Sequence, residues 1–319
     1  MRFGDIVGHE RNIAILQRIL TSGKLAHAYL FTGIDGCGKR LTATTVIAAT
    51  FCGSGDACGT CPACRKMAAG THPDLHLVEP DGAFVKIDQI RELQKELALP
   101  PYEARRKACI IDGADRLNPG AGNPLLKTLE EPPGNALIIL LATGIDNVMA
   151  TIRSRCQHLA FQGLSEQAIT DYLERNGIPP ETAQVAACLA DGSLTRALNL
   201  SGADFMAERT TLLNAVSSVS LGRVSELFAV AERFDKDREA AINSMDLLLS
   251  FWRDLLQLRT GAGHPVNRDL LPLLEREAAR RSTRAITEQI ELIAGSRRAL
   301  QRNANVRLTL DVLLMNLAQ

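Results

Sequence analysis

Ala28-Tyr29-Leu30-Phe31-Thr32-Gly33-Ile34-Asp35-Gly36-Cys37-Gly38-Lys39-Arg40 is a short apolar run that passes directly into a glycine loop ending in lysine. The run predicts a strand, and a helical pattern from about Leu41 completes the strand, loop and helix in which a phosphate-binding loop works. Gly33, Gly36, Gly38 and Lys39 follow G-x-x-x-x-G-K and are candidate contacts to the phosphates of ATP or ADP. The next position breaks the pattern. It requires a hydroxyl to ligate magnesium, and Arg40 has no acceptor to offer a metal. The loop is expected to keep an ability to hold phosphate and to be unfit for magnesium-assisted hydrolysis. A glycine-rich turn without a ligand is the alternative that so short a motif leaves open.

Outward from the loop, the first half alternates strands and helices. Ile13, Leu16 and Leu20 recur at helical spacing up to Gly23. Further strands are predicted at Leu75 to Val78, Cys109 to Asp112, Leu137 to Leu141 and Gln157 to Phe161. Between them Ile90, Leu93 and Leu97 mark a helix, with Asp88 as its N-cap and Pro100-Pro101 as its stop. Near-continuous apolar strands alternating with helices indicate an α/β fold with a parallel sheet covered on both faces. After Gly163 the strand signals end. Helices are predicted over Ser165 to Asn176 and Pro180 to Ala190, a short one after Gly192-Ser193, and wholly helical sequence from about Asp204. There Ile242, Met245, Leu249, Trp252 and Leu256 step by three and four along one face, as the core of a helical bundle does. The expected domains are therefore 1–163, 164–203 and 204–319.

Lys+Arg and Asp+Glu both number 36 in the 319 residues, so the formal net charge is zero. Such a chain has no global attraction to nucleic acid, and DNA contact would need a local basic patch or basic partners. Neither a signal peptide nor a membrane-spanning run is apparent, which predicts a soluble cytoplasmic protein. The eight cysteines would then lie in a reducing compartment, where clustering points to metal or catalysis rather than disulfides.

Four of them are clustered. Cys52, Cys58, Cys61 and Cys64 share a stretch with Gly53, Gly55, Gly59 and Pro62, whose turns can aim four sulfurs inward. Zinc takes four thiolates in a tetrahedron, and overlapping C-x-x-C turns supply them, so a structural zinc module is expected at 52–64. Buried apolar cysteines or a redox pair are the alternatives. Cys37, Cys109, Cys156 and Cys188 are scattered singly and are expected to act as small hydrophobic side chains.

A second constellation pairs the loop with the strand Cys109-Ile110-Ile111-Asp112. Asp112 could hold magnesium through water, but the residue after it, where hydrolases place a water-polarising glutamate, is Gly113. Asp115 is three residues too far on. Thr143, ending the next strand, completes the candidate nucleotide contacts. A third constellation is Leu126-Lys127-Thr128-Leu129-Glu130-Glu131-Pro132-Pro133 with Ser154-Arg155-Cys156, in which the arginine alone would be an ordinary surface group.

Together with Ala26 to Phe31, Thr71-His72-Pro73-Asp74 and Asn303 to Leu308, these motifs give a chain that resembles the AAA+ clamp-loader family of bacterial DNA polymerase III. Within that family it is most similar to the delta-prime subunits. Val306 stands where the family commonly has proline. The resemblance implies an AAA+ module carrying a zinc insertion, a helical lid and a helical collar that joins a five-subunit ring with motor ATPase and delta subunits. It also implies action on a sliding clamp and primer-template DNA during replication. It implies for Arg155 the role of an arginine finger, inserted in trans into the ATP site of a neighbouring motor subunit.

Against the family's motors, three positions depart: Arg40 for a hydroxyl, Gly113 for glutamate, and Thr195 where the lid arginine stands, with Arg196 displaced by one residue. One residue on a helix turns a side chain by about 100°. A subunit that does not hydrolyse ATP itself is expected, with an ATP-hydrolysing motor of the same loader as the alternative. A zinc-dependent nucleic-acid module is a third possibility, weakened because Arg65-Lys66 is the only basic doublet beside the cysteines and no aromatics interleave it.

Overall fold

The structure, a computed structural model, describes residues 2–218, 238–263 and 265–317. The part of the predicted helical sequence at 219–237 lies outside the described residues. Two compact units are present: the first takes 1–169 with 192–195, the second 170–191 with 196–319.

The first unit is built on five parallel strands, β1 (Ala28–Thr32), β2 (Leu75–Val78), β3 (Ala108–Asp112), β4 (Leu137–Ala142) and β5 (Gln157–Ala160), in the order β2-β3-β4-β1-β5. β1 and β4 are buried along their whole length, as expected of central strands covered on both faces. Alternation sorts their side chains. Tyr29, Phe31, Ile110, Ile139 and Leu141 face a core shared with α1 (Glu10–Ser22) and α2 (Lys39–Phe51), from which Leu16, Val46 and Ile47 project. Leu30, Ile111, Ile138 and Leu140 face a second core, shared with α4 (Ile87–Ala98) and α5 (Pro119–Glu130). Ile90, Leu93 and Leu97 of α4 are buried there, each contributing about 1.5–3 kcal/mol of transfer free energy. Between α2 and β2 lies α3 (Pro62–Ala68), and α6 (Ala150–Arg153) precedes β5.

Some boundaries differ from expectation. α2 begins at Lys39 rather than near Leu41, because Gly38, at φ 109°, turns the loop into the helix at once. α4 is capped at Lys86, whose N–H donates to Gln89 Oε1 at 2.8 Å; Asp88 instead sits in the first turn, where its charge meets the helix dipole. β5 ends at Ala160, one residue before Phe161.

Further helices are α7 (Glu166–Arg175), α8 (Pro180–Leu189), α9 (Leu194–Leu200) and α10 (Ala203–Ser218), followed by α11 (Arg238–Thr260), α12 (Leu271–Arg280), α13 (Thr283–Gln301) and α14 (Val306–Leu317). In the second unit α11 is the central element, packing against α12, α13 and α14. Met245, Leu249 and Trp252 of the predicted stripe are buried, and Leu248, Phe251 and Leu255 widen it; Ile242 and Leu256 are only half-buried at its margin. Polar groups pin the loop after α11. Arg209, fully buried, donates to Asp269 at 2.7 Å and to Asn267 at 2.5 Å, while Asp254 accepts the N–H groups of Val266 at 3.0 Å and Asn267 at 2.8 Å. Among the described residues no helix is long and apolar enough to cross a membrane.

Candidate nucleotide loop, thiolate cluster and surface arginine

The loop between β1 and α2 folds on itself. Gly36, at φ 76°, has no room for a side chain: a Cβ would lie 2.2 Å from Ser193 Oγ, and Leu194 N–H donates to Gly36 O at 2.9 Å. The Lys39 ammonium is only 6% exposed and spends its protons on Gly33 O at 2.5 Å, Ile34 O at 2.8 Å and Asp35 Oδ1 at 3.4 Å. An ammonium has three donors, so an entering phosphate must replace those partners rather than find a free proton.

Arg40 reaches back across the strand ends. Its Nη1 donates to Glu79 and lies 3.7 Å from Asp112 Oδ2. Burial raises the Asp112 carboxyl above its ordinary range, against the pull of the Arg40 and Lys39 cations. A magnesium ion does not fit these residues: the carboxylate that would approach it already faces a guanidinium, which cannot ligate metal. Gly113 adopts φ 90°, and a Cβ there would come 2.8 Å from Pro80 Cγ. Position 113 therefore disfavours a glutamate on two counts, strain and space. Asp115 Oδ2 accepts both the N–H of Thr143, at 3.3 Å, and its hydroxyl, so these two groups hold each other at the ends of β3 and β4. In the second unit Arg196 is paired with Asp246, whose Oδ1 also lies 2.6 Å from Arg297 Nε as a second ion pair.

One feature of this region has no motif to announce it. A cleft of about 690 Å³ lies between residues 8–12 and 158–168. Its wall is tied to the glycine loop, since His9 Nε2–H donates to Cys37 O at 2.8 Å and the His9 ring meets Phe161 edge-on at 4.8 Å. At its rim Gly8 and His9 are both left-handed, at φ 67° and 60°.

The four clustered cysteines converge. Their Sγ atoms all lie within 4.8 Å of one another, with Cys61 and Cys52 at 3.8 Å. A tetrahedron with Zn–S bonds of about 2.3 Å has edges of about 3.8 Å, so the donor set fits zinc. The backbone prepares it: Cys61 N–H points to Cys58 Sγ and Cys64 N–H to Cys61 Sγ, both at 3.4 Å, the arrangement that favours thiolates. Hydrogen bonds from Thr60 and Cys61 lower the Cys58 thiol to about 5, while burial pushes Cys64 up to about 12. Lys66, half of the basic doublet, is paired with Glu103. Of the remaining cysteines, Cys37, Cys109 and Cys156 join the apolar cores, where burial pushes Cys109 and Cys156 up to about 12 and raises Cys37 as well; Cys188 is half-buried.

The Thr71-His72-Pro73-Asp74 motif is structural. Fully buried Asp74 accepts the N–H groups of Tyr102, Glu103 and Ala104 at 2.6, 2.8 and 2.7 Å, and His72 stacks on Phe51 at 4.4 Å. Arg155 lies between α6 and β5 at the surface, its guanidinium on Glu130 of α5.

Comparison with known proteins agrees over nearly the whole chain. The family model described as DNA polymerase III, delta subunit, matches residues 8–165, and that described as DNA polymerase III, delta subunit, C terminal, matches 203–319. The DNA polymerase III subunit delta' of Bacillus subtilis is 31% identical, covering 97% of this chain and 96% of that protein. The DNA polymerase III subunit tau of the same organism is 30% identical over 91% of this chain, which spans 55% of that relative. Among solved structures, a DNA polymerase III gamma subunit-related protein from Thermotoga maritima has a TM-score of 0.51 at 17% identity, covering 96% of this chain and 98% of that one. At that identity the likeness speaks for the fold.

Proposed function

The chain belongs to the DNA polymerase III delta-prime family of clamp-loader subunits, with a P-loop AAA+ domain and a helical C-terminal domain, and on that premise we propose that it hydrolyses no ATP itself and lends Arg155 to a neighbouring motor subunit. The carrying observation is the Arg40 guanidinium at Asp112, in the space a magnesium ion would need, with Gly113 bent into a conformation that disfavours a catalytic glutamate. The motor alternative needs both the magnesium ion and the glutamate. Lys39 and the cleft beside His9 still suit passive binding, the lysine and glycine loop taking phosphate and the cleft a nucleoside.

In this reading Arg155 acts in trans. Arginine suits the task because its planar fork stays charged and matches phosphate oxygens bidentately, stabilising charge that develops on the transferring group. Cys52, Cys58, Cys61 and Cys64 would hold one structural zinc, which ties the end of α2 to the start of α3. The division into an AAA+ domain at 1–163, a lid at 164–203 and a collar at 204–319 belongs to the same proposal. So do the other loader subunits, the sliding clamp and primer-template DNA as partners in the cytoplasm. The deciding experiment is ATP turnover by the reconstituted loader carrying Arg155→Ala in this subunit, in the presence of clamp and primed DNA. Normal turnover would remove the finger role.

A further inference from the structure

Two arginines flank Ser154, and they are held differently. Arg153 lies 3.6 Å from Asp146, which is almost fully exposed, and donates weakly to Ile145 O at 3.5 Å. Arg155 is gripped. Its Nε donates to Glu130 Oε1 at 2.8 Å and its Nη2 to the same oxygen; Nη1 donates to Thr151 O at 2.9 Å and to Ser154 Oγ at 3.2 Å. One proton on Nε, two on Nη1 and one on Nη2 are thus engaged, four of the five that a guanidinium carries. The edge formed by Nε and Nη2, well shaped for gripping an oxyanion, is the edge Glu130 covers.

The grip is set in place from behind. Glu130 is the last residue of α5, and the turn that carries it is tied at two further points. His27 Nε2–H donates to Leu129 O at 2.9 Å, and Gln94 donates to Pro124 O at 2.8 Å and Thr128 Oγ1 at 2.9 Å. Leu129 and Thr128 are buried. The helix end that carries Glu130 is therefore fixed, while the ion pair itself is open to solvent, with the Arg155 side chain 34% and the Glu130 side chain 50% exposed, so that the two can be parted without unpacking the core.

We propose that Glu130 is a latch for Arg155: its carboxylate occupies the guanidinium edge that a neighbouring subunit's phosphate must take, so that the finger engages only by exchanging one oxyanion for another. The latch presupposes the arginine-finger role proposed above. The exchange is favourable when the phosphate chain is seated against Arg155, because a triphosphate carries more charge than one carboxylate and offers several oxygens to the fork. It is unfavourable when the neighbour stands off by a few ångströms. Glu130 thereby makes the finger's engagement depend on closure of the subunit interface rather than on the mere presence of nucleotide. As a positioning residue it touches no reacting atom.

The test uses the complete reconstituted loader with Glu130→Gln, Glu130→Asp, Arg155→Ala and the double variant Glu130→Gln/Arg155→Ala in this subunit. ATP turnover is measured with and without clamp and primed DNA. Removing the negative charge weakens the hold on Arg155, so Glu130→Gln should raise turnover in the absence of clamp and DNA by about twofold to fivefold, the factor that an exposed ion pair can command. Turnover in their presence should change little, which narrows the stimulation ratio. Glu130→Asp, which keeps the charge, should restore most of that ratio. The double variant should behave as Arg155→Ala alone. If Arg155→Ala lowers turnover while Glu130→Gln leaves the unstimulated rate unchanged or lower, the latch is overturned and the finger survives. If the double variant keeps the raised rate, Glu130 acts elsewhere and the latch is overturned too. If Arg155→Ala changes nothing, the finger role falls and the latch with it.

Discussion

Arg40 Nη1 lies 3.7 Å from Asp112 Oδ2, so the cation nearest the strand-end carboxylate belongs to the protein itself. On the reading proposed above, a loop arranged this way has its positive charge built in and offers magnesium no ready ligand set. The isolated chain is accordingly expected to release no phosphate from ATP above background in the presence of magnesium. Arg40→Thr alone should not create turnover, because Gly113 supplies no base. Steady-state phosphate release by wild-type and variant chains checks both statements, and turnover abolished by Lys39→Ala would identify a motor.

Arg155 should matter only in company. Arg155→Ala is expected to leave the fold and ring assembly unchanged, since its ion pair with Glu130 is half-exposed and worth little. Turnover of the assembled loader should fall by roughly tenfold or more at the neighbouring site, with about 10³–10⁵ known for arginine fingers in GTPases. Thermal denaturation, size-exclusion chromatography and ATPase assays on the same preparation separate the two outcomes.

The thiolate cluster should carry about one zinc per chain by elemental analysis. Cys61→Ser removes a ligand whose Sγ also receives the Cys64 N–H, so metal content should drop and the 52–64 turn loosen. A loss of about 2 kcal/mol would lower the thermal midpoint of the first unit by roughly 4–8 °C. A metal-free preparation with an unchanged midpoint would contradict the zinc module.

Asp74 offers a pH test. Burial raises its carboxyl, but the N–H groups of Tyr102, Ala104 and Glu103 outweigh burial and hold it below the ordinary carboxylate range. A depressed folded value means that its contribution is complete at neutral pH and is lost as pH falls below the ordinary range through the folded value. Asp74→Asn should therefore cost about 1–3 kcal/mol at pH 7. The gap from wild type should close on acidification, which urea titrations at several pH values would follow.

In the second unit Arg209 is fully buried and joins α10 to the loop after α11 through Asn267 and Asp269. Arg209→Met should destabilise that unit by about 2–3 kcal/mol, less than the 3–5 of a wholly buried pair, because Asp269 is a quarter exposed and can rehydrate. Denaturant unfolding of the full chain would read this directly.

Much of this was legible in the residues. The five strands, the glycine loop and the cysteine cluster announce themselves through period, spacing and residue type, which are local properties of the chain. The cleft beside His9 is not local: it needs residues 8–12 to meet residues 158–168. The same holds for Asp115 and Thr143, which are joined across 28 positions of the chain.

By itself, then, the order of residues determined the α/β architecture, the helical second half and the chemistry available at Lys39, Cys52 to Cys64 and Arg155. Only tertiary structure decided what each of those groups does with its charge. Lys39 turns inward to its own loop, Arg40 to Glu79 and Asp112, Arg196 to Asp246, and Arg155 to Glu130. The reason is physical: periodicity records which face a side chain takes, whereas a pairing depends on distances of a few ångströms, set within a loop's own turn for Lys39 and between residues tens of positions apart for Arg40, Arg196 and Arg155.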